Sequence, residues 1–95
     1  MSRRRLLIAY DIANGTRLRK VIKVMESYGQ RLQYSVFLCD LSALELARWQ
    51  GELVPILNLA EDSVVTIDLG QVGSSAPITV FGVPRALPSA GAIVV

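Results

Sequence analysis

Asp11 is the residue of this chain whose type and position are best suited to binding a metal ion or taking part in catalysis. It follows an apolar run that begins at Leu6 and is typical of a buried strand. It stands at the carboxyl end of that strand, where α/β proteins tend to place functional groups. A carboxylate can bind Mg²⁺, which uses one or two carboxylates with water and phosphate oxygens. One Asp11 is too few for a tight site, but a two-fold dimer supplies a second. The alternative, which the residues alone favour, is a structural carboxylate that caps the next helix or pairs with its dipole.

The composition limits which side chains could catalyse a reaction. The 95 residues include no histidine and one cysteine, Cys39. The chain therefore lacks the usual general base at neutral pH, and Cys39 has no partner for an internal disulfide or a zinc site. Any catalysis must use carboxylates, a metal, or tyrosine and lysine side chains. Asp68, a second isolated acid, is expected to be a solvent-facing strand residue. A cytoplasmic location is the default expectation.

Positive charge is concentrated in the first third of the chain. Residues 1–31 hold eight lysines and arginines against two acids, a net charge of +6, whereas residues 32–95 have a net charge of −4. Such an asymmetry favours a phosphate-bearing partner, because clustered arginine and lysine bind the backbone of a nucleic acid. The alternative is that these charges only keep a helix face solvated.

The candidate contacts to a nucleic acid are of two kinds. Basic residues of the first predicted helix lie away from its apolar stripe: Arg17, Lys20 and Lys23. Arg31 could contact a phosphate or pair with a carboxylate at the entry to a strand, and the residues do not decide between the two. Tyr10 and Phe37 could stack on a base, but packing in the core is the favoured role for both.

The hydrophobic periodicity predicts two helices separated by strands. One strand covers residues 6–12, a helix covers 16–28 and ends at Gly29 in a left-handed conformation, and a single strand covers 31–39. Ser42 and Glu45 form a capping box at the start of a second helix, which Pro55 kinks or ends. Further strands are expected over residues 63–69, 78–81 and 92–95, with a turn over 70–77. The resulting order, β-α-β-α-β-β, leaves the topology open, because a ferredoxin-like fold has two strands between its helices.

The bulk properties predict one domain that associates with a second chain. Apolar residues make up 52% of the sequence and the mean hydropathy is +0.42. Both values are high for a small monomer, because much of its surface must remain hydrated. No apolar run approaches the ~20 residues that span a bilayer, so the surplus apolar surface is expected to face another protein chain. A sheet with both helices on one face would leave such a surface, and the strand over 92–95 could add to a partner's sheet edge.

Several short motifs together resemble the CRISPR-associated protein 2 family in order and spacing, over about residues 6–69. They are Tyr10-Asp11-Ile12, Arg17-Leu18-Arg19-Lys20-Val21, Tyr28-Gly29 and Gln33-Tyr34-Ser35-Val36-Phe37. The resemblance implies one ferredoxin-like domain over residues 1–95, with an antiparallel sheet, two helices on one face and an extra C-terminal strand. Its core would cover about residues 6–82, and residues 83–95 would be a swapped or edge strand.

The resemblance also implies a function and a set of site residues. The family forms homodimers that join the CRISPR-associated integrase and bridge captured DNA, and some members are described as metal-dependent nucleases on RNA or double-stranded DNA. Asp11 corresponds to the family's metal-binding aspartate, so Mg²⁺ is the implied cofactor. The positions that match its active or nucleic-acid-binding surface are Tyr10, Arg17, Arg19, Arg31 and Phe37, which Lys20 and Lys23 extend.

Three functions are therefore compared. The first is a dimeric scaffold that binds duplex DNA through the basic helix, with steep salt dependence. The second is a metal-dependent phosphodiesterase with paired Asp11 carboxylates. The third is a small ferredoxin-like ligand-binding regulatory protein, which predicts no duplex affinity and which the charge asymmetry disfavours. The scaffold is the favoured hypothesis because it needs only surface charge and symmetry.

Overall fold

The structure is a computed structural model that describes residues 2–83 and 92–94. The chain forms six strands and two α-helices in the order β1-α1-β2-β3-α2-β4-β5-β6 within this part. Their bounds are β1 Arg4–Asp11, α1 Gly15–Tyr28, β2 Gln30–Gln33, β3 Val36–Leu41, α2 Ala43–Leu53, β4 Ser63–Gln71, β5 Ile78–Val80 and β6 Ala92–Val94. A 3-10 turn, Val54–Ile56, follows α2. No helix in the described residues is long and apolar enough to cross a membrane.

Four strands form one antiparallel sheet in the order β2-β3-β1-β4. Strand β1 lies between β3 and β4, with Ile8 opposite Phe37 on one side and Thr66 on the other. Both helices pack on one face, because Val21 of α1 and Trp49 of α2 belong to the same buried cluster as Ile8. This β-α-β-β-α-β arrangement confirms the ferredoxin-like fold.

The expected single strand over residues 31–39 is wrong, since a hairpin of β2 and β3 occupies this segment. Its turn at Tyr34 and Ser35 contains no glycine, proline or asparagine, so the apolar-polar alternation runs through it without a break. Contacts from β1 hold the turn instead. The Tyr10 N–H donates to the Ser35 carbonyl (3.1 Å), and the Tyr10 hydroxyl donates to the Tyr34 carbonyl (3.2 Å). The turn is therefore fixed by residues distant in the sequence.

The left-handed cap expected at Gly29 is also wrong. Its φ and ψ are −161° and −166°, an extended conformation that any residue adopts. A Cβ at this position would lie 2.3 Å from the Leu38 carbonyl oxygen and 2.4 Å from the Cys39 Sγ. Glycine is needed here because β3 crosses close to the end of α1, and its conformational freedom is not used.

The other three helix ends are determined by residues close in the sequence. Asn14 caps α1, its side chain accepting the Arg17 N–H at 3.0 Å. The capping box of Ser42 and Glu45 is confirmed at the start of α2. The last turn of α2 is followed by the 3-10 turn that contains Pro55, as expected for a residue that cannot continue an α-helix.

The second face of the sheet is only partly covered. Strand β5 packs there, with Val80 against Leu32 and Leu38. Val65 and Ile67 on β4 remain 53% and 49% exposed. Beyond this sheet, β5 pairs in parallel with β6. The predicted strand over 92–95 is thus confirmed for Ala92–Val94, and Val95 lies outside the described residues.

Candidate nucleic-acid interface and metal site

Asp11 is the last residue of β1 and is exposed. It makes no ion pair and no side-chain hydrogen bond with any residue in 2–83 or 92–94. The helix-capping role that competed for this carboxylate belongs to Asn14. In the loop that follows Asp11, the Ala13 N–H donates to Asp62 (2.9 Å). Asp11 is therefore a solvated carboxylate with no structural task in the described part of the chain.

A shallow depression of about 140 Å³ lies beside Asp11. Besides the carboxylate, its wall contains two tyrosines, two aliphatic side chains and a serine: Tyr10, Tyr34, Ile12, Leu18 and Ser35. A small polar ligand could reach Asp11 here and contact an aromatic ring at the same time.

The protein ligands available to a metal are few. The described residues contain no group of three or more histidine, cysteine, aspartate or glutamate side chains that could hold a metal ion. Asp11 alone suits Mg²⁺, because this ion keeps several waters and commonly takes one or two carboxylates plus phosphate oxygens. Asp11 could hold it as one ligand per chain, with a second carboxylate supplied by another copy.

Arg17 is committed to an internal ion pair. Its Nε lies 2.8 Å from Oδ2 of Asp62 and its Nη2 lies 3.1 Å from Oδ1, while Nη2 also contacts Glu61 (3.1 Å). The Asp62 side chain is fully buried and accepts the N–H groups of Ala13 and Asn58 as well, both at 2.9 Å. Asp62, in the loop before β4, therefore holds both the first turn of α1 through Arg17 and the loop after β1 through Ala13, next to Asp11. This gives Arg17 a positioning role in place of the expected phosphate contact.

The same contacts determine the charge state of Asp62. The Arg17 guanidinium holds the pKa of this carboxyl well below its usual range, the backbone donors act in the same direction, and burial opposes them. Asp62 was not a candidate from sequence, since its partner lies 45 residues away and no local pattern signals the contact.

Arg19, Lys20 and Lys23 form the basic face of α1. With Thr16 they line an open depression of about 360 Å³, and all three are exposed. None makes an ion pair with a described acid; Arg19 only donates to the Thr16 hydroxyl (3.3 Å). Three positive charges on one helix face are thus free to meet phosphates.

Tyr10 and Phe37 lie in the core. They are 6% and 1% exposed, with ring centroids 6.2 Å apart. Burial raises the pKa of Tyr10, which the Arg31 guanidinium opposes. Core packing, the favoured alternative for both rings, is what the structure describes, and neither presents a ring face to a base.

Arg31 contacts aromatic rings and pairs with no described carboxylate. Its guanidinium carbon lies 5.4 Å from the centroid of Phe37 and 5.9 Å from that of Tyr34, distances typical of a cation–π contact. Its Nε is buried and has no hydrogen-bond partner among the residues described. The carboxylate partner considered at the strand entry is thus not found in this part of the chain.

The basic N-terminal third is less positive than its composition suggests. Arg3, Arg4 and Arg5 pair with Glu45, Asp68 and Asp40, all from the acidic remainder of the chain. Asp68, expected as a solvent-facing strand residue, is half-exposed and lies 2.7 Å from Arg4. In the folded chain these three arginines are therefore neutralised by ion pairs. In the first third, the lysines and arginines that pair with no described acid lie on α1 and at Arg31.

A family model described as CRISPR associated protein Cas2 matches residues 4–75. The chain belongs to the Cas2 family. The match covers the whole four-stranded sheet and both helices, so it includes Asp11 and the basic face of α1.

Relatives in bacteria carry nuclease names. A CRISPR-associated endoribonuclease Cas2 from Geobacter sulfurreducens is 37% identical over 71 residues, which cover 75% of each chain. A CRISPR-associated endonuclease Cas2 from Halalkalibacterium halodurans is 37% identical over 70 residues, covering 68% of this chain and 73% of the other.

Solved structures share the fold. Cas2 of Streptococcus pyogenes at pH 6.5 superposes with a TM-score of 0.64 at 35% identity, covering 70% of this chain and 86% of the other. A hypothetical protein from Thermus thermophilus gives a TM-score of 0.78 at 30% identity, covering 88% of this chain and 96% of the other. The family model, the curated relatives and the Streptococcus pyogenes Cas2 structure together confirm the family suggested by the sequence motifs.

Proposed function

We propose that this Cas2-family chain is a cytoplasmic CRISPR adaptation protein, a homodimer that binds double-stranded DNA or RNA and bridges it to the CRISPR-associated integrase. The observation that carries the proposal is the basic face of α1, where Arg19, Lys20 and Lys23 are exposed and pair with no acid among residues 2–83 and 92–94. Phosphate contacts of this kind supply affinity and position a nucleic acid without reading its sequence.

The apolar second face of the sheet supports the dimer. Val65 and Ile67 alternate on β4 and are about half exposed, and Phe81 is 79% exposed. Strand β4 is nine residues long and, within the described sheet, pairs on one side only. Exposed apolar strand faces and long free edges commonly associate with a second copy. We also infer that residues 1–95 act as one domain, in which β6, Ala92–Val94, pairs with β5 of its own chain and is available as an edge strand to a partner.

Binding is tested by comparing Lys20→Ala with Arg48→Ala. Each removes one positive charge from an exposed helix position, but Arg48 lies on α2 and does not line the depression formed by the basic face. For a dimer, Lys20→Ala loses two phosphate contacts, so the slope of log affinity against log salt for a DNA duplex falls by about 1.8. Arg48→Ala keeps the wild-type slope. A small-ligand regulatory protein would instead show no duplex affinity at physiological salt, and equal slopes in all three proteins would overturn the proposal.

Association is tested by placing a charge on the apolar face. Ile67→Asp puts a carboxylate among apolar groups that a partner must bury, and burial of an unpaired charge is costly. We expect sedimentation to report a monomer for Ile67→Asp and a dimer for the control Leu59→Asp. Leu59 is 73% exposed and lies in the connection between α2 and β4. Equal masses for the two variants would contradict the dimer surface.

Metal-dependent cleavage is the second candidate function, and Asp11 favours it because this carboxylate has no side-chain partner in the part of the chain that the structure describes. A solvated carboxylate with no structural task can hold a magnesium ion, and a two-fold dimer contributes a second copy. When bound, the ion would lower the pKa of a water molecule and stabilise negative charge on the phosphate. Asp11 would orient the metal, and Arg17 would position the loop next to it through Asp62.

Cleavage is tested with Asp11→Asn on RNA and duplex DNA, in magnesium and in chelator. The substitution preserves size and removes the charge, so cleavage is lost while binding stays equal or strengthens, because a negative charge near phosphate is gone. Cleavage that survives in Asp11→Asn would place the activity elsewhere. Binding without cleavage by the wild type would leave the scaffold as the function.

A further inference from the structure

Tyr34 is an exposed aromatic residue that the functions above do not use. Its side chain is 70% exposed, whereas the neighbouring rings of Tyr10 and Phe37 are buried. It occupies the turn between β2 and β3, which brings it to the same end of the sheet as Asp11. Both side chains line the depression of about 140 Å³ described above.

The ring is held in place although it is exposed. The Arg31 guanidinium lies over it at 5.9 Å and rests in turn on the buried Phe37 at 5.4 Å. The Tyr34 backbone is fixed separately, since its carbonyl accepts the Tyr10 hydroxyl at 3.2 Å. One face of the Tyr34 ring is therefore backed by a cation, and the ring's high exposure leaves the other face to solvent. Because the ring is already held in place, binding a ligand to it costs little side-chain entropy.

We propose that Tyr34 is a binding residue whose free ring face stacks on an unpaired nucleobase beside Asp11. The inference rests on the proposed nucleic-acid binding and names the feature of the nucleic acid that this site recognises. Base–aromatic stacking tolerates any sequence, because every base has a π-face.

The geometry selects an unpaired base in preference to a paired one. Bases inside a duplex have both faces covered by their neighbours, so Tyr34 can reach only a base that is splayed out, at an end or in a single strand. The depression is smaller than the roughly 300 Å³ of sites that enclose a small molecule. The base therefore lies against the ring and is not enclosed. The positive charge of Arg31 behind the ring favours the phosphate attached to that base.

The experiment uses short single-stranded oligonucleotides that carry 2-aminopurine, whose fluorescence falls when its ring stacks. One oligonucleotide is RNA and the other is DNA, because either nucleic acid could supply the unpaired base. The proteins are the wild type, Tyr34→Phe, Tyr34→Ala and the control Leu59→Ala, which truncates a side chain of similar exposure, 73%, outside the Asp11 depression. A perfectly paired duplex of the same sequence is measured in parallel.

The wild type, Tyr34→Phe and Leu59→Ala should quench the fluorescence, and Tyr34→Ala should not. Tyr34→Ala should also bind the single strands at least about fivefold more weakly, the lower bound for loss of one base–aromatic stack, with duplex binding unchanged. Unequal effects on the two oligonucleotides identify the preferred sugar.

Two results would overturn the inference. Quenching and single-strand affinity in Tyr34→Ala equal to the wild type would show that the ring does not stack. Weaker binding that accompanies loss of the dimer mass would make Tyr34 an interface residue. If the wild type binds no nucleic acid, single-stranded or duplex, the proposed function itself fails, which is a distinct outcome.

Discussion

Replacing Gly29 by alanine tests how the hairpin that carries Arg31 and Tyr34 is joined to α1. The added Cβ would stand 2.3 Å from the Leu38 carbonyl oxygen and 2.4 Å from the Cys39 Sγ. The oxygen belongs to the backbone of a central sheet strand, so it cannot move without disturbing the pairing of β3 with β1. The clash must therefore be relieved by shifting the end of α1 or the start of β2.

The expected cost follows from this overlap. Forcing one extra carbon into a packed site costs typically about 1–3 kcal/mol, and a contact this short with backbone favours the upper end. Alanine restricts the unfolded chain more than glycine does, which returns about 0.4–1 kcal/mol. The net destabilisation is about 2 kcal/mol, or roughly 8–16 °C in the melting temperature of a domain of this size.

Gly51→Ala is the matched control. Gly51 lies in α2, and a Cβ there meets nothing within 4 Å. Alanine is the better helix former by about 1 kcal/mol, so this variant should be as stable as the wild type or more so. Both variants are unfolded in urea at one protein concentration, because the apparent stability of a dimer depends on concentration.

Gly29→Asn separates the steric explanation from a conformational one. Asparagine tolerates the left-handed region, so a left-handed cap would make Gly29→Asn milder than Gly29→Ala. The close contact predicts that asparagine is at least as harmful, since it has the same Cβ and a larger side chain. A Gly29→Ala variant as stable as Gly51→Ala would refute the reasoning.

Three further predictions follow from buried or paired groups. Asp62→Asn should lower the urea midpoint more than Asp68→Asn, because Asp62 is buried and also accepts two backbone N–H groups, whereas Asp68 is half-exposed. Equal midpoints would contradict a stabilising role for the contacts of Asp62 with Arg17, Ala13 and Asn58. The pKa of Glu45 is lowered to about 2, chiefly by Arg3. The stability that this carboxylate contributes is therefore complete above the pKa that Glu45 has in the unfolded chain, and it is lost as the pH falls from about 4.5 towards 2. In Glu45→Gln this part of the acid transition should disappear. Burial raises the pKa of the Cys39 thiol to about 12, so thiol reagents should not label the native protein at pH 8 but should label it in urea.

Local sequence signals predicted the parts of the fold that depend on neighbours in the chain. The capping box of Ser42 and Glu45 and the end of α2 before Pro55 arise from residues three or four positions apart, and both were correct. The turn between β2 and β3 was missed because Tyr10, distant in the sequence, supplies its hydrogen bonds. The glycine at position 29 was recognised as necessary, but the reason lies in strand β3 and has no local signature.

In the candidate site, too, local sequence patterns predicted some features and could not predict others. The position of Asp11 at the end of β1 and the exposure of Lys20 and Lys23 on α1 follow from strand and helix periodicity and agree with the structure. Arg17, expected on the same solvent face, is instead only partly exposed and pairs with Asp62. The pairing of Arg17 with Asp62 could not be predicted, because charge counts do not reveal which acid folds against which arginine. Tyr34 was part of a family motif but was not selected as a site residue, since only the three-dimensional structure distinguishes this exposed ring from the buried rings of Tyr10 and Phe37.

We propose that two copies of the chain bind one nucleic acid through their α1 helices. Native mass spectrometry of the protein mixed with a short DNA duplex measures this directly. The account predicts a complex of two chains and one duplex, which Lys20→Ala weakens and Ile67→Asp reduces to free monomers with little duplex bound. A wild-type complex of one chain per duplex, or the absence of any complex at physiological salt, would contradict it.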